Sequence, residues 1–497
     1  MSVSFRKLSR RTGRRLFALR IGWLRWQNLH LPQSLVLILI AFAIGAFTGL
    51  SAAAIKNFVG LLNNAILTGV KIGTPSIRFL IWPLAGILIT SIYQRYVAHS
   101  HITTGTRLIR KRLDSHSYRF GVFDIFNPII GCSMTMGLGA SAGTEGPTAL
   151  SGAAIGSCIG QFFRLSRPWL RLLVGIGAGA GIAAIFKSPM GGVLFTLEVL
   201  QMQLNSLPVL ALIIACLVAS GTAYLMSDFT FDISFVRDMP MDPKTLGWVA
   251  LLGLFCGLYS VYYSYTKTRS AKLFCRIRNP WIGAVATGAT LSICVFMIPA
   301  LFGEGFDVIT DLVNGRYIPF TEFGVFAGHS KHIWLFLSLG GVLLLKGILV
   351  AASYSNGGVA GDFVPTFFAG AVAGAFFAFL INDLCGTHLH IWYFALIGMG
   401  CVMAGTINAP LMSLFILCET TNTYAYIFPY MIAIAVSYFT VKVITPRSLY
   451  GEAAHDDLMA LLQRGDTPDL RSRVPGPSGM TKNSASQPEN SALQSEK

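Results

Sequence analysis

Residues 143–156 read GTEGPTALSGAAIG, and residues 361–374 read GDFVPTFFAGAVAG. Gly143, Pro147, Thr148, Gly152 and Gly156 of the first stretch stand at the same offsets as Gly361, Pro365, Thr366, Gly370 and Gly374 of the second. A further block follows each stretch. Gly177, Gly179 and Ala183 precede Pro189, with Glu198 nine residues beyond that proline; Gly398, Gly400 and Ala404 precede Pro410, with Glu419 nine residues beyond. Pro147 to Pro189 is 42 residues and Pro365 to Pro410 is 45. Two blocks in one order at nearly one separation make the chain two related halves, about 35–230 and 245–450.

The medium around these halves follows from composition. The 497 residues are 53% hydrophobic and 12% charged, with a mean hydropathy of +0.61, whereas a soluble domain carries about 25% charged residues. Apolar runs at 207–226, 246–265, 281–302, 333–354 and 426–445 reach the ~18–20 residues that cross a bilayer. The expectation is an all-α polytopic membrane protein, with one membrane domain over 31–451. Gly and Pro interrupt many runs, which predicts short, tilted and discontinuous helices. Paired interruptions at matching places in two halves point to an inverted repeat with a substrate site at its interface.

Charge is distributed unevenly. The net charge is +16, and residues 4–27 hold eight basic residues and no acid; 107–112 (RLIRKR) and 267–278 (KTRSAKLFCRIR) are also basic. Such runs beside membrane spans obey the positive-inside rule and rest on anionic lipid, so all three are expected in the cytoplasm and nucleic acid is not an expected partner. Residues 1–30 read as a basic cytoplasmic segment, and 452–497, rich in Pro, Ser and Asn, as a cytoplasmic tail without a core. A bacterial inner membrane is the expected location. The nine cysteines are scattered and never spaced CxxC, so they read as small core residues rather than disulfides or metal ligands.

Glu145 is the anomaly, because an acid deep in a bilayer costs roughly 2.5–3.5 kcal/mol on insertion scales and so needs a partner or a task. Gly143 and Gly146 let the backbone turn and approach a ligand closely, and Pro147 suits the first turn of a helix. Pro365 makes the same arrangement in GDFVPT. Two helix starts converging inside the membrane form an anion site from unpaired N–H groups, without a full cation that would hold the ion too tightly. Glu145 either occupies that site as a gate or caps its own helix. The second half keeps the helix start but has Phe363 and Val364 in place of the acid, which favours the gate.

GTEGPT, GDFVPT and SLYG (448–451) resemble three signature elements of the CLC chloride channels and transporters: GxEGP, GxFxP, and a tyrosine just after the last membrane segment. With the repeat, the resemblance spans 31–451. It implies the CLC fold of two inverted repeats and a homodimer with one anion pathway per subunit. By the same resemblance Glu145 is the gating glutamate, Gly146, Asp362 and Phe363 lend backbone N–H groups to chloride, and Tyr450 lends its hydroxyl. The family's GSGIP serine has its counterpart in AHSHITTGTRLI (98–109), where Ser100 is the leading candidate and Thr103 and Thr104 are substitutes. No cofactor beyond the transported ion and no metal is implied. Nor are the nucleotide-sensing tandem domains that follow the membrane part in some relatives.

One position bears on mechanism. Proton-coupled members of the family have two adjacent glutamates where this chain has Glu198 and Val199. A valine carries no proton, so the expectation is passive, glutamate-gated chloride conduction, voltage- or pH-dependent. Chloride/proton exchange on the same fold is the alternative, and a non-transporting receptor or scaffold is the alternative from another class. Glu198 and Glu419 are expected to bond to nearby helix ends. No nucleophile–base constellation or phosphate loop marks an enzyme.

Overall fold

The computed structural model describes residues 32–68, 76–99, 104–227, 243–316, 320 and 332–445. The first half contains α1 (Gln33–Leu67), α2 (Arg78–Ile92), α3 (Gly105–Asp114), α4 (Phe123–Gly137), α5 (Glu145–Phe162), α6 (Arg167–Phe186), α7 (Pro189–Leu194) and α8 (Ser206–Leu225). The second contains α9 (Pro243–Cys275), α10 (Pro280–Met297), α11 (Phe306–Val313), α12 (His332–Ser355), α13 (Phe363–Cys385), α14 (Ile391–Ile407), α15 (Pro410–Thr421) and α16 (Ile427–Ile444). Among the described residues no β-strand forms, and eight helices are long and apolar enough to cross a membrane. The expected apolar runs became α8, α9, α10, α12 and α16. The third ends early, at Met297, because Pro299 opens a separate 3-10 turn.

Glycine spacing is explained by helix packing. A Cβ on Gly152 of α5 would lie 2.1 Å from the Gly177 carbonyl oxygen of α6, and one on Gly370 of α13 would lie 2.3 Å from that of Gly398 in α14. The outer pairs repeat the device: Gly45 of α1 would meet the Ala215 oxygen of α8 at 2.5 Å, and Gly253 of α9 the Ala433 oxygen of α16 at 2.6 Å. In lipid, helices associate by close van der Waals packing rather than by hydrophobic exclusion, so small residues at the seam set the approach. The core is therefore backbone against backbone. Of the eight helices long enough to cross a membrane, α6 and α13 are the most enclosed, each 83% buried over its apolar window, against 33–39% for α8, α9, α10 and the helix ending at Ile444.

The halves meet through a reciprocal contact. Glu198 accepts hydrogen bonds from the N–H groups of Leu411 (3.3 Å) and Met412 (2.9 Å) at the head of α15. Glu419 accepts from the N–H groups of Met190 (3.1 Å) and Gly191 (3.2 Å) at the head of α7, and from the Ser188 hydroxyl. Leu411 and Met412 follow Pro410 as Met190 and Gly191 follow Pro189, so equivalent residues exchange equivalent bonds, the mark of a two-fold relation. Both glutamates do bond to helix ends, and each chooses the end in the opposite half. All nine cysteines are free; Cys132, Cys216, Cys256, Cys401 and Cys418 are buried as expected, whereas Cys275 and Cys385, in the last turns of α9 and α13, are exposed.

Candidate functional site

The same two-fold relation brings the two quoted motifs head to head. Gly143 and Gly361 form an antiparallel bridge, with the Gly361 N–H donating to the Gly143 carbonyl at 2.6 Å and the Gly143 N–H to the Gly361 carbonyl at 3.2 Å. Helices α5 and α13 start from this bridge, at Glu145 and Phe363, with Pro147 and Pro365 in their first turns. A third start joins them. Gly105, the first residue of α3, lies so close to the Gly146 carbonyl that a Cβ would stand 1.9 Å from its oxygen. Each helix start leaves N–H groups without intrahelical partners and carries partial positive charge.

Glu145 is fully buried in this junction. Its Oε1 accepts the Phe363 N–H, so the carboxylate is held by the start of the opposite half's helix. Its Oε2 has no hydrogen-bond partner. Glycines make the cradle: a Cβ on Gly143 would lie 2.0 Å from Oε2, and one on Gly361 would lie 2.2 Å from Oε1. A carboxylate is a tethered monovalent anion, and its oxygens stand here for the free anion that peptide N–H groups can bind.

The surroundings hold charges that the motifs do not announce. Thr144, at the N-cap of α5, donates its hydroxyl to the Glu304 carboxylate. Lys346 of α12, fully buried, donates to Ser141 Oγ at 2.8 Å and lies 4.4 Å from the Phe368 ring centroid. Asp362, the N-cap of α13, pairs with Lys267 of α9 at 3.2 Å, both side chains 3% exposed. Phe195 packs edge-on to Phe363 at 5.8 Å, and Val199 ends the π-helical turn Phe195–Val199 that carries it.

The structure thus gathers Glu145, Gly146, Asp362 and Phe363. Sequence reasoning treated Asp362 as a backbone donor only, and its buried ion pair is new. Ser100, Thr103 and Tyr450 lie outside the described residues. Thr104 is described: it is the N-cap of α3, 3% exposed, and its Oγ1 has no partner. Lys267, Lys346 and Glu304 were missed. Lys346 had a signal, a lone cation inside the apolar run GGVLLLKGILV. Among the described residues no group of three or more His, Cys, Asp or Glu could hold a metal ion.

Residues 85–442 match the family model described as voltage gated chloride channel. A Ralstonia nicotianae protein described as chloride channel ClcB-like is 30% identical over 351 residues, covering 66% of this chain and 75% of the relative. The H(+)/Cl(-) exchange transporter ClcA of Vibrio cholerae is 28% identical over 344 residues, covering 67% of this chain and 70% of the relative. In fold, the chain is similar to a slow cyanobacterial Cl−/H+ antiporter (TM-score 0.71, 21% identity, covering 86% of this chain and 98% of that one). It is also similar to a CLC-type fluoride/proton antiporter (TM-score 0.68, 22% identity, covering 84% and 96%).

Proposed function

Because the chain belongs to the CLC family, whose fold of two inverted repeats it has, we propose that it exchanges chloride for protons across a bacterial inner membrane. The carrying observation is the seat of Glu145, with one oxygen on the Phe363 N–H and the other without any donor. An acid in that seat blocks the anion. To admit chloride it must leave, and a carboxylate leaving fixed N–H donors inside a membrane leaves at least cost when it takes a proton. One group then answers to both ions, which is the requirement for coupling.

This reading replaces passive conduction, the expectation drawn from Val199. Relatives bearing the name of H(+)/Cl(-) exchangers, and solved antiporters of the same fold, support exchange. Val199 removes one acid and not the need for a proton at Glu145. In our reading Gly146, Asp362 and Phe363 offer N–H groups to chloride, the unpartnered Thr104 hydroxyl donates from the head of α3, and Ser100 and Tyr450 complete the donors. The working unit is a homodimer in lipid with cytoplasmic termini.

The test is purified protein in liposomes, with external chloride and pH followed together under a valinomycin-clamped potential. Exchange predicts that a chloride gradient drives protons against their own gradient in a fixed ratio. Chloride movement with no accompanying proton would return the protein to a channel.

A further inference from the structure

Glu145 is fully buried, so a proton exchanged with the cytoplasm must reach it through the protein interior, carried by titratable side chains and ordered water. We propose that the buried pair Lys267–Asp362 is that carrier, linking the cytoplasmic end of α9 to the gate. The inference rests on the exchange reading above.

The geometry supplies both ends of the link. Asp362 lies between Gly361 and Phe363, both of which border the Glu145 carboxylate. Asp362 Oδ2 faces the Lys267 ammonium at 3.2 Å, while its Oδ1 and Glu145 Oε2 have no hydrogen-bond partner, so each acid keeps an open position for a proton. Lys267 is within electrostatic reach of Glu145 as well as of Asp362. It stands eight residues before Cys275, the end of α9, or ~12 Å along the helix at 1.5 Å per residue. That end belongs to the basic run 267–278, which the positive-inside rule assigns to the cytoplasm.

Among the described residues the other charged and titratable neighbours of the pair are Arg107, on α3 and also in electrostatic reach of Lys267, and Tyr354, on α12, whose ring centroid lies 5.7 Å from the Arg107 guanidinium. Arg107 keeps its charge at all working pH, so it biases the pair without carrying the proton. Two residues from basic runs that read as headgroup-facing, Arg107 and Lys267, therefore turn inward.

The transfer balances. The Lys267 ammonium gives a proton to an Asp362 oxygen, and the ion pair becomes a neutral amine and a neutral acid. Asp362 passes that proton to the free oxygen of Glu145 and is ionised again. The Lys267 amine takes a proton from cytoplasmic water, and the pair is restored. One proton has moved to the gate and no charge has accumulated on the way.

Lys267→Arg separates this role from a structural one. An arginine keeps the positive partner of Asp362 but does not give up its proton. The dual flux assay on this variant is expected to show chloride movement retained and coupled proton movement lost. Because removing one member of a buried pair strands the other charge, while removing both is tolerated, the double variant Lys267→Met/Asp362→Asn is the second arm, with the same expected loss. Coupling that survives in the arginine variant or in the double variant would overturn the proposal and leave exchange standing. A wild type that moves chloride without protons would overturn exchange itself.

Discussion

Glu198, Glu419 and Glu145 each accept from helix N–H groups in the opposite half, and they differ in kind. Glu198 and Glu419 are equivalent residues making equivalent bonds, each to the head of a short helix in the other half. Glu145 has no such twin. Where it stands in GTEGPT the second half has Phe363, whose N–H receives the carboxylate. On the proposed reading the repeated acids hold the scaffold, and the unrepeated acid works on it. On that reading transport rests on the exception, an acid that the first half alone carries, set among helix starts that both halves keep.

The largest expected effect comes from removing the exception. Glu145→Ala should abolish proton coupling and leave chloride flux that no longer responds to pH, measured by paired chloride and proton traces in liposomes. In the wild type, acidification should raise chloride exchange, since protonation frees the carboxylate from its seat. A pH-independent wild type, or an alanine variant that stays coupled, breaks the distinction between the two kinds of acid.

Next is the cradle. Gly361→Ala would set a Cβ 2.2 Å from Glu145 Oε1, closer than atoms can approach, and should push the carboxylate off the Phe363 N–H. The expected outcome is uncoupled chloride leak at neutral pH, smaller than in Glu145→Ala, read from the same assay. Tight coupling in this variant would mean that the carboxylate does not need its seat.

The symmetric acids should act on stability. Glu198→Ala and Glu419→Ala each remove hydrogen bonds from a charged acceptor to helix N–H groups, worth about 1.5–3 kcal/mol. The two losses should be alike in detergent unfolding midpoints, with coupling ratio unchanged. The smallest effect belongs to the outer seams: Gly45→Ala and Gly253→Ala overpack equivalent contacts at about 1–3 kcal/mol. Unequal losses within either pair would argue that the repeat has been specialised there too.

Much of this was legible because backbone constraints are local. Glycine and proline mark close approach and helix starts wherever they stand, so their offsets exposed the two halves before any contact was known. Glu145 was legible because a lone acid in apolar sequence is anomalous. Its partner was not, for the Phe363 N–H lies 218 residues away and carries no side-chain signature. Lys267 was hidden within a basic run that has an ordinary explanation at the membrane surface. Its helical position tells more: it follows Tyr259 and Tyr263 at intervals of four, and all three are buried on α9. The choice between conduction and exchange was drawn from a single valine, which reports one absent proton carrier and says nothing of Asp362.

The central claim is that the Glu145 carboxylate holds a place belonging to an anion. The direct measurement is anomalous scattering from bromide-soaked crystals of Glu145→Ala. The account predicts a bromide peak within hydrogen-bond reach of the Phe363 N–H, at the place the Glu145 carboxylate holds beside the Gly143–Gly361 bridge. A variant that still moves chloride but shows no halide at that position would contradict it.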